Sequence, residues 1–198
     1  EYIRREMLDE SGGFYSSQDA DSEGEEGKFF VWTPDETEAV LGPAAADFGA
    51  VFDVTTNGNF EGNNILNIKG RSAVTKLAIF DSAKGKLFAE RETRIKPGRD
   101  EKVLTAWNGL MLAAFADAAA VFGNETYLQI ARRNAAFIRT QMLKDGRLLR
   151  TWKNGVAKLN GYLEDYANVA DGLIVLYQAT GDIEFLVSAR KLAETMIG

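Results

Sequence analysis

A repeat with a 58-residue period constrains this chain more than anything else in it. Gly123-Asn124-Glu125-Thr126-Tyr127-Leu128, followed by Ala131-Arg132 and Ala135, returns as Gly181-Asp182-Ile183-Glu184-Phe185-Leu186, followed by Ala189-Arg190 and Ala193. Ahead of each glycine runs a mostly apolar stretch, Val103–Phe122 and then Tyr162–Thr180. A helix that is apolar all round is a buried helix. Behind each glycine the pattern turns amphipathic. Over Tyr127–Leu143 one stripe holds Tyr127, Ile130, Ala131, Asn134, Ile138 and Met142, and Ile183–Ile197 behaves alike. Tandem pairs of one buried and one amphipathic helix build α/α solenoids or closed α/α toroids. The expected fold is therefore mainly α, built of such helix pairs, with solenoid and toroid both open at this point.

The remaining elements follow from local signals. Residues 1–9 read as a short amphipathic helix that Ser11-Gly12-Gly13 ends. The run Ser16–Gly27 is polar and punctuated by glycine, so it reads as a loop. Lys28–Trp32 has the aromatic and branched content of a strand. Thr33-Pro34-Asp35-Glu36 combines an N-cap threonine, a first-turn proline and a capping-box glutamate, so it starts a helix that Gly42 stops. A helix over Ala44–Phe52, a loop over Thr55–Gly62 and a strand over Asn64–Ile68 come next. Residues 72–93 read as helical with a break near Gly85. Ile95–Lys102 reads as a charged loop. Arg147–Leu159 reads as a hairpin about Asn154-Gly155.

Composition removes several chemistries. The chain has no cysteine and no histidine, so thiolate nucleophiles, imidazole acid/base catalysis and Cys/His zinc sites are all excluded from it. Acid/base work falls to Asp, Glu, Lys or Tyr. No cofactor is called for. The net charge of −6 argues against nucleic-acid binding. No apolar run approaches the ~20 residues of a membrane span, so no membrane partner is expected. No secretion leader is visible, and the absence of cysteine fits a reducing compartment, so a cytoplasmic location is expected. Glu1–Leu8 already reads like the middle of a helix, which suggests a segment of a longer protein.

Four motifs in order carry a family resemblance. They are Gly12-Gly13-Phe14-Tyr15-Ser16-Ser17-Gln18-Asp19-Ala20-Asp21-Ser22 with Glu26–Thr33; Gly58-Asn59-Phe60-Glu61-Gly62 with Asn64-Ile65-Leu66; Lys102–Met111; and Gly161-Tyr162-Leu163-Glu164-Asp165-Tyr166-Ala167. Together they resemble the YyaL-type, spermatogenesis-associated thioredoxin-like family. The resemblance implies an upstream thioredoxin-like domain and a six-hairpin α/α toroid similar to glycosidases and N-acylglucosamine 2-epimerases. This chain would be the early and middle part of that toroid, so the resemblance implies a mainly α fold, a partial (α/α) toroid with short β-hairpins at its rim, in which residues 1–198 form a single incomplete domain. The epimerases of this architecture use histidines, so the epimerase activity is disfavoured here.

Candidate site residues fall into three groups. Asp19-x-Asp21-x-Glu23-Gly24 looks like the start of an EF-hand, but the twelfth position from Asp19 is Phe30, which cannot bind calcium. The loop reads first as solvated, with a looser divalent-cation site as the alternative. Asp19 and Asp21 are also candidate catalytic carboxylates, with Gln18, Trp32, Glu61 and Asn64 as substrate-binding neighbours, since sugar sites pair carboxylates with aromatic faces. Trp107 and Asn108 lie in the first buried helix. A buried Asn must satisfy donors and acceptor, so Asn108 reads as a brace first and a ligand contact second. Tyr162, Asp165 and Tyr166 open the second buried helix, and Asp165 reads either as a helix-dipole acid or as a cavity carboxylate. It is taken here as the third candidate catalytic acid. Glycoside hydrolysis needs two carboxylates about 5–9.5 Å apart. A carbohydrate ligand, association through the open edge of the incomplete ring, and a non-catalytic partner-presenting scaffold are the functional expectations.

Overall fold

The computed structural model describes residues 1–68 and 78–197. The helical reading over 72–77 lies outside the described residues. In chain order the elements are β1 (Tyr15–Gln18), β2 (Asp21–Ser22), β3 (Glu25–Glu26), α1 (Pro34–Leu41), α2 (Ala45–Phe52), α3 (Asp81–Arg91), β4 (Arg99–Leu104), α4 (Thr105–Phe122), α5 (Glu125–Phe137), β5 (Leu143–Lys144), β6 (Arg147–Lys153), β7 (Val156–Asn160), α6 (Leu163–Thr180) and α7 (Ile183–Ile197). The chain, read from sequence as one domain, forms two compact units. The first is Glu1–Ser17 with Arg99–Gly198, and the second is Gln18–Gly98.

The first unit realises the repeat. Helices α4 and α6 have 18 residues each, and each ends at a left-handed glycine, Gly123 (φ 59) and Gly181 (φ 71). A left-handed residue lets the chain turn back at once, and glycine adopts it without strain. The returning helices α5 and α7 then lie antiparallel to their partners. Helices α4 and α6 run side by side in the same direction. The Ala106 N–H donates to Asp165 Oδ1 at 2.8 Å, and the Asn168 side chain donates to the Ala106 carbonyl at 3.3 Å. Their approach is so close that a Cβ on Gly109 would lie 2.4 Å from the Asn168 carbonyl carbon, and one on Gly172 would lie 2.7 Å from Gly109 O. The core holds Val103, Leu112, Phe137, Met142, Leu148, Val169 and Leu176. In length and composition α4 would suffice to cross a membrane, yet Leu112, Ala116 and Ala119 are buried inside this unit.

A five-stranded sheet, ordered β1-β4-β6-β5 with β7 also on β6 and antiparallel at the β4–β6, β5–β6 and β6–β7 pairs, completes the unit. The expected hairpin is present: Lys153 pairs with Val156 across Asn154 (φ 51) and Gly155 (φ 80), a two-residue turn with both residues left-handed. Asp145-Gly146 makes a second such turn between β5 and β6. The charged Arg99–Leu104 segment is a strand rather than the expected loop, because β6 supplies backbone partners at Val103↔Trp152 and Leu104↔Thr151. The N-terminal helix is only a wide turn, Ile3–Met7. It is clasped by Arg99, whose guanidinium donates to Glu6 O at 2.6 Å and lies 4.2 Å from the Tyr15 ring centre.

Tyr15 also donates its hydroxyl to the Asp9 carboxylate. Burial and this bond push the Tyr15 hydroxyl up to about 12 from its ordinary 10.0. Burial alone would raise Asp9, but bonds from Ser11 and Tyr15 outweigh it and lower its pKa. The raised tyrosine favours the folded state while neutral, so its contribution is whole below pH 10 and disappears as pH rises through 12. An alkaline titration followed by tyrosinate absorbance should show one ionisation centred near 12 that is missing in Tyr15→Phe. Superimposable titration curves would contradict the clasp.

The second unit packs α1, α2 and α3 around Trp32, Leu41, Phe48, Phe52, Phe80 and Leu87. Thr33 forms the expected capping box with Glu36. Three expectations are corrected here. Lys28–Trp32 is not a strand: Lys28–Phe30 is a turn following Gly27, a left-handed residue (φ 72) that ends the β2–β3 hairpin, and Trp32 makes only a single bridge. Asn64–Ile68 is not a strand either: Asn64 makes a single bridge to Trp32 and the chain then runs free of partners in a ladder. Gly85 does not break α3.

Candidate functional site

The acidic loop is a tight hairpin. Ser22 pairs with Glu25 across Glu23 (φ 55) and Gly24 (φ 80). The Asp21 N–H donates to Asp19 Oδ1 at 3.2 Å, and the Asp19 N–H donates to Gly98 O at 2.7 Å. Both side chains are exposed, Gln18 is half-buried beside them, and no metal-holding cluster exists among the described residues. A two-residue turn cannot wrap a cation as a twelve-residue loop does, which accounts for the missing EF-hand geometry.

Next to this hairpin, and wholly within the second unit, lies an open cavity of about 840 Å³. Glu23, Glu25, Glu26, Glu36 and Glu61 supply its carboxylates, while Phe29, Phe60 and Arg94 line its walls. Lys28 neutralises Glu23 at 3.5 Å and Glu25 at 3.1 Å, and Arg94 meets Glu36 at 3.3 Å. Glu26 and Glu61 have no ion-pair partner among the described residues. Glu61 is held out by a left-handed backbone (φ 47) between Phe60 and Gly62. Arg94 is fixed by donating to Phe29 O at 3.2 Å and Val31 O at 2.7 Å, with its guanidinium 4.2 Å from the Trp32 ring centre.

Of the candidate catalytic and substrate-binding residues, Glu61 alone lines this cavity, together with Glu23 of the acidic loop. Trp32 is core, covered by Arg94. Asn64 is a brace, fully buried. Its side chain donates to Trp32 O and Thr55 O, each at 3.1 Å, and accepts from the Thr55 N–H at 2.9 Å. Glu26, Phe29, Phe60 and Arg94 were not singled out. The signal for them was present, since Glu26-Gly27 and Phe60-Glu61-Gly62 sit at glycine turns inside two of the quoted motifs.

The first unit holds the other candidates. Asn108 is the brace its burial requires. It accepts from the Phe14 N–H at 2.7 Å and donates to Phe14 O at 3.0 Å and Leu104 O at 2.9 Å. The Asn134 side chain also donates to it, at 2.9 Å. Tyr166 is buried and its hydroxyl accepts from the Leu148 N–H at 3.0 Å. Asp165 is wholly buried. One oxygen accepts from Ala106 N–H at 2.8 Å. The other accepts from Tyr162 N–H at 2.7 Å and from Arg150 Nη1 at 3.1 Å. The carboxylate thus ties the N-termini of α4 and α6 together and anchors Arg150, instead of standing at a surface. Trp107 and Tyr162 are the exposed members, 51% and 60% accessible. The Arg150 guanidinium stacks 4.5 Å from the Tyr162 ring centre.

The class defined by these features is a mainly helical, hairpin-repeat protein with antiparallel strands and an acidic, aromatic-walled cavity. No family model matches the chain. Spermatogenesis-associated protein 20 of Homo sapiens is 32% identical over 243 aligned positions, covering 98% of this chain and 31% of the relative. The Mus musculus protein of that name is also 32% identical, with 98% of this chain and 30% of the relative covered. These relatives fit the family that the motifs resemble, and the chain spans about a third of their length. Solved structures give weaker likenesses. A novel alpha-amylase from Clostridium perfringens has 13% identity and a TM-score of 0.42 over 49% of this chain and 27% of that one. A sugar epimerase from a ruminal bacterium has 15% identity and a TM-score of 0.44 over 99% and 67%.

Proposed function

We propose that this chain is part of a carbohydrate-binding, glycosidase-like α/α toroid within a longer cytoplasmic protein that carries a thioredoxin-like domain upstream. The observation that supports the ligand class is the cavity of the second unit. Its volume, about 840 Å³, falls in the range of small-molecule sites. Glu26 and Glu61, without an ion-pair partner among the described residues, offer acceptors for sugar hydroxyls, and Phe60 offers a ring for the C–H face. In this reading Asp19 and Asp21 stand at the cavity's approach as further carboxylates. Trp107 and Tyr162 are accessible rings on the first unit, and Asp165 acts by holding Tyr162 in place.

A non-catalytic scaffold is the second reading, and the engagement of both Asp165 oxygens favours it. Sugar binding to the full-length protein, measured by calorimetry across neutral mono- and disaccharides, separates the two. Under the carbohydrate reading at least one sugar binds, and Glu61→Gln or Phe60→Ala weakens it about tenfold, equivalent to 1.4 kcal/mol. Failure of every sugar to bind, or unchanged affinity in both variants, would leave the scaffold.

A further inference from the structure

We propose that the sugar received by the cavity of the second unit carries a free, protonated amine, held by Glu26 and Glu61 against the Phe60 ring. The inference rests on the carbohydrate reading of that cavity and adds the charge of its ligand. Its source is the balance of charge on the walls. Five carboxylates, those of Glu23, Glu25, Glu26, Glu36 and Glu61, line the cavity against two bases, Lys28 and Arg94, which leaves three negative charges over. Both bases are already committed. Lys28 meets Glu23 at 3.5 Å and Glu25 at 3.1 Å, and Arg94 directs its guanidinium to Glu36 and to the carbonyls of Phe29 and Val31.

The two carboxylates without an ion-pair partner among the described residues, Glu26 and Glu61, come from different motifs that touch. A Cβ on Gly27 would lie 3.2 Å from Phe60 Cε1, so the turn after Glu26 packs directly on the Phe60 ring. Glu26 precedes Gly27 and Glu61 follows Phe60, so both carboxylates leave the chain beside one aromatic ring. Both are exposed, and Phe60 is half-buried. A cleft walled by one sign of charge focuses its field and concentrates ligands of the opposite sign. An ammonium group gains there twice. Charge-assisted hydrogen bonds to carboxylates are roughly twice as strong as neutral ones. The face of an aromatic ring attracts a cation as well. A neutral sugar meets the same groups through its hydroxyls alone. An acylated amino sugar is neutral and falls with it, while a uronic acid is repelled.

Matched sugars titrated into the full-length protein test this, by calorimetry at about pH 6, above the ordinary range of Glu carboxylates. Glucose, galactose and mannose are each compared with the forms that bear a free amine or an acetylated amine at one ring position. In at least one series the free amine is expected to bind about tenfold tighter than the hydroxyl and the acetylated form, and the gain should shrink in high salt. Glucuronate should bind more weakly than glucose. In Glu26→Gln and in Glu61→Gln the ratio of amine to hydroxyl affinity should fall toward one. Both positions are exposed, so the fold tolerates the changes, and circular dichroism verifies this. Neutral sugars that bind with no gain from the amine, or a gain that survives in both variants, would overturn the inference and leave the carbohydrate reading in place. Ethanolamine or glucuronate binding as tightly as the amino sugar would overturn it as well. Binding of no sugar in any form would overturn the carbohydrate reading beneath it.

Discussion

Gly109→Ala is expected to destabilise the first unit by about 2 kcal/mol, although glycine to alanine inside a helix ordinarily stabilises by up to ~1 kcal/mol. The opposing effect is steric. The added Cβ would sit 2.4 Å from the Asn168 carbonyl carbon, 2.6 Å from its oxygen and 2.6 Å from the Val169 nitrogen. These are backbone atoms of α6, so no side chain can rotate away and the two helices must part. Overpacking costs about 1–3 kcal/mol, and a backbone clash belongs at the upper end. Parting the helices also strains the Ala106–Asp165 and Asn168–Ala106 bonds. Gly85→Ala is the control. Gly85 lies within α3, exposed, with nothing within 4 Å of the new Cβ, so it should gain the ordinary helical increment. Urea unfolding of both variants checks the pair. A neutral or stabilising Gly109→Ala would mean that α4 and α6 do not approach at this point.

Asp165→Ala should cost about 3 kcal/mol, and more than Arg150→Ala. Removing one member of a buried ion pair costs about 3–5 kcal/mol because the partner is left uncompensated. The lower figure applies because the Arg150 side chain keeps 24% exposure and retains Glu164 at 2.7 Å. The larger loss is elsewhere: the N–H groups of Ala106 and Tyr162 are left without their acceptor, one at the start of each parallel helix. Arg150→Ala leaves Asp165 with both amide donors, so about 1 kcal/mol is expected. Thermal unfolding of the two variants gives the ordering. Equal stability of Asp165→Ala and the unaltered protein would remove the bracing role and return Asp165 to the candidate catalytic acids.

The parts of the fold that were legible in the sequence share one property: their cause is local. The Gly123 and Gly181 stops, the Thr33–Glu36 capping box and the Asn154-Gly155 turn each depend on a few adjacent residues. What escaped depends on distant partners. Arg99–Leu104 is a strand because β6, some 50 residues on, offers its backbone. Lys28–Trp32 has strand-like composition, yet no neighbouring strand takes it up. The site divides the same way. Asn108 could be read as a brace because a buried amide must find partners. The acceptor role of Asp165 toward Ala106, 59 residues earlier, could not be read, since it arises only once α4 and α6 lie side by side. Trp32 taken alone reads as core and only within the acidic cluster as a sugar-facing ring; it is core, with Arg94 on its face. The cavity itself is made by two hairpin-like turns, and their left-handed residues at Glu23-Gly24 and Glu61-Gly62 were visible only as glycine-rich loops.

Whether the acidic cavity of the second unit receives a sugar decides between the carbohydrate and the scaffold readings. The most direct measurement is amide chemical-shift mapping on the labelled chain during titration with neutral mono- and disaccharides. The prediction is a saturating set of shifts confined to Gly24–Gly27 and Asn59–Asn63, weakened in Glu61→Gln. A titration that leaves those amides unmoved, or moves only residues remote from the cavity, would contradict it.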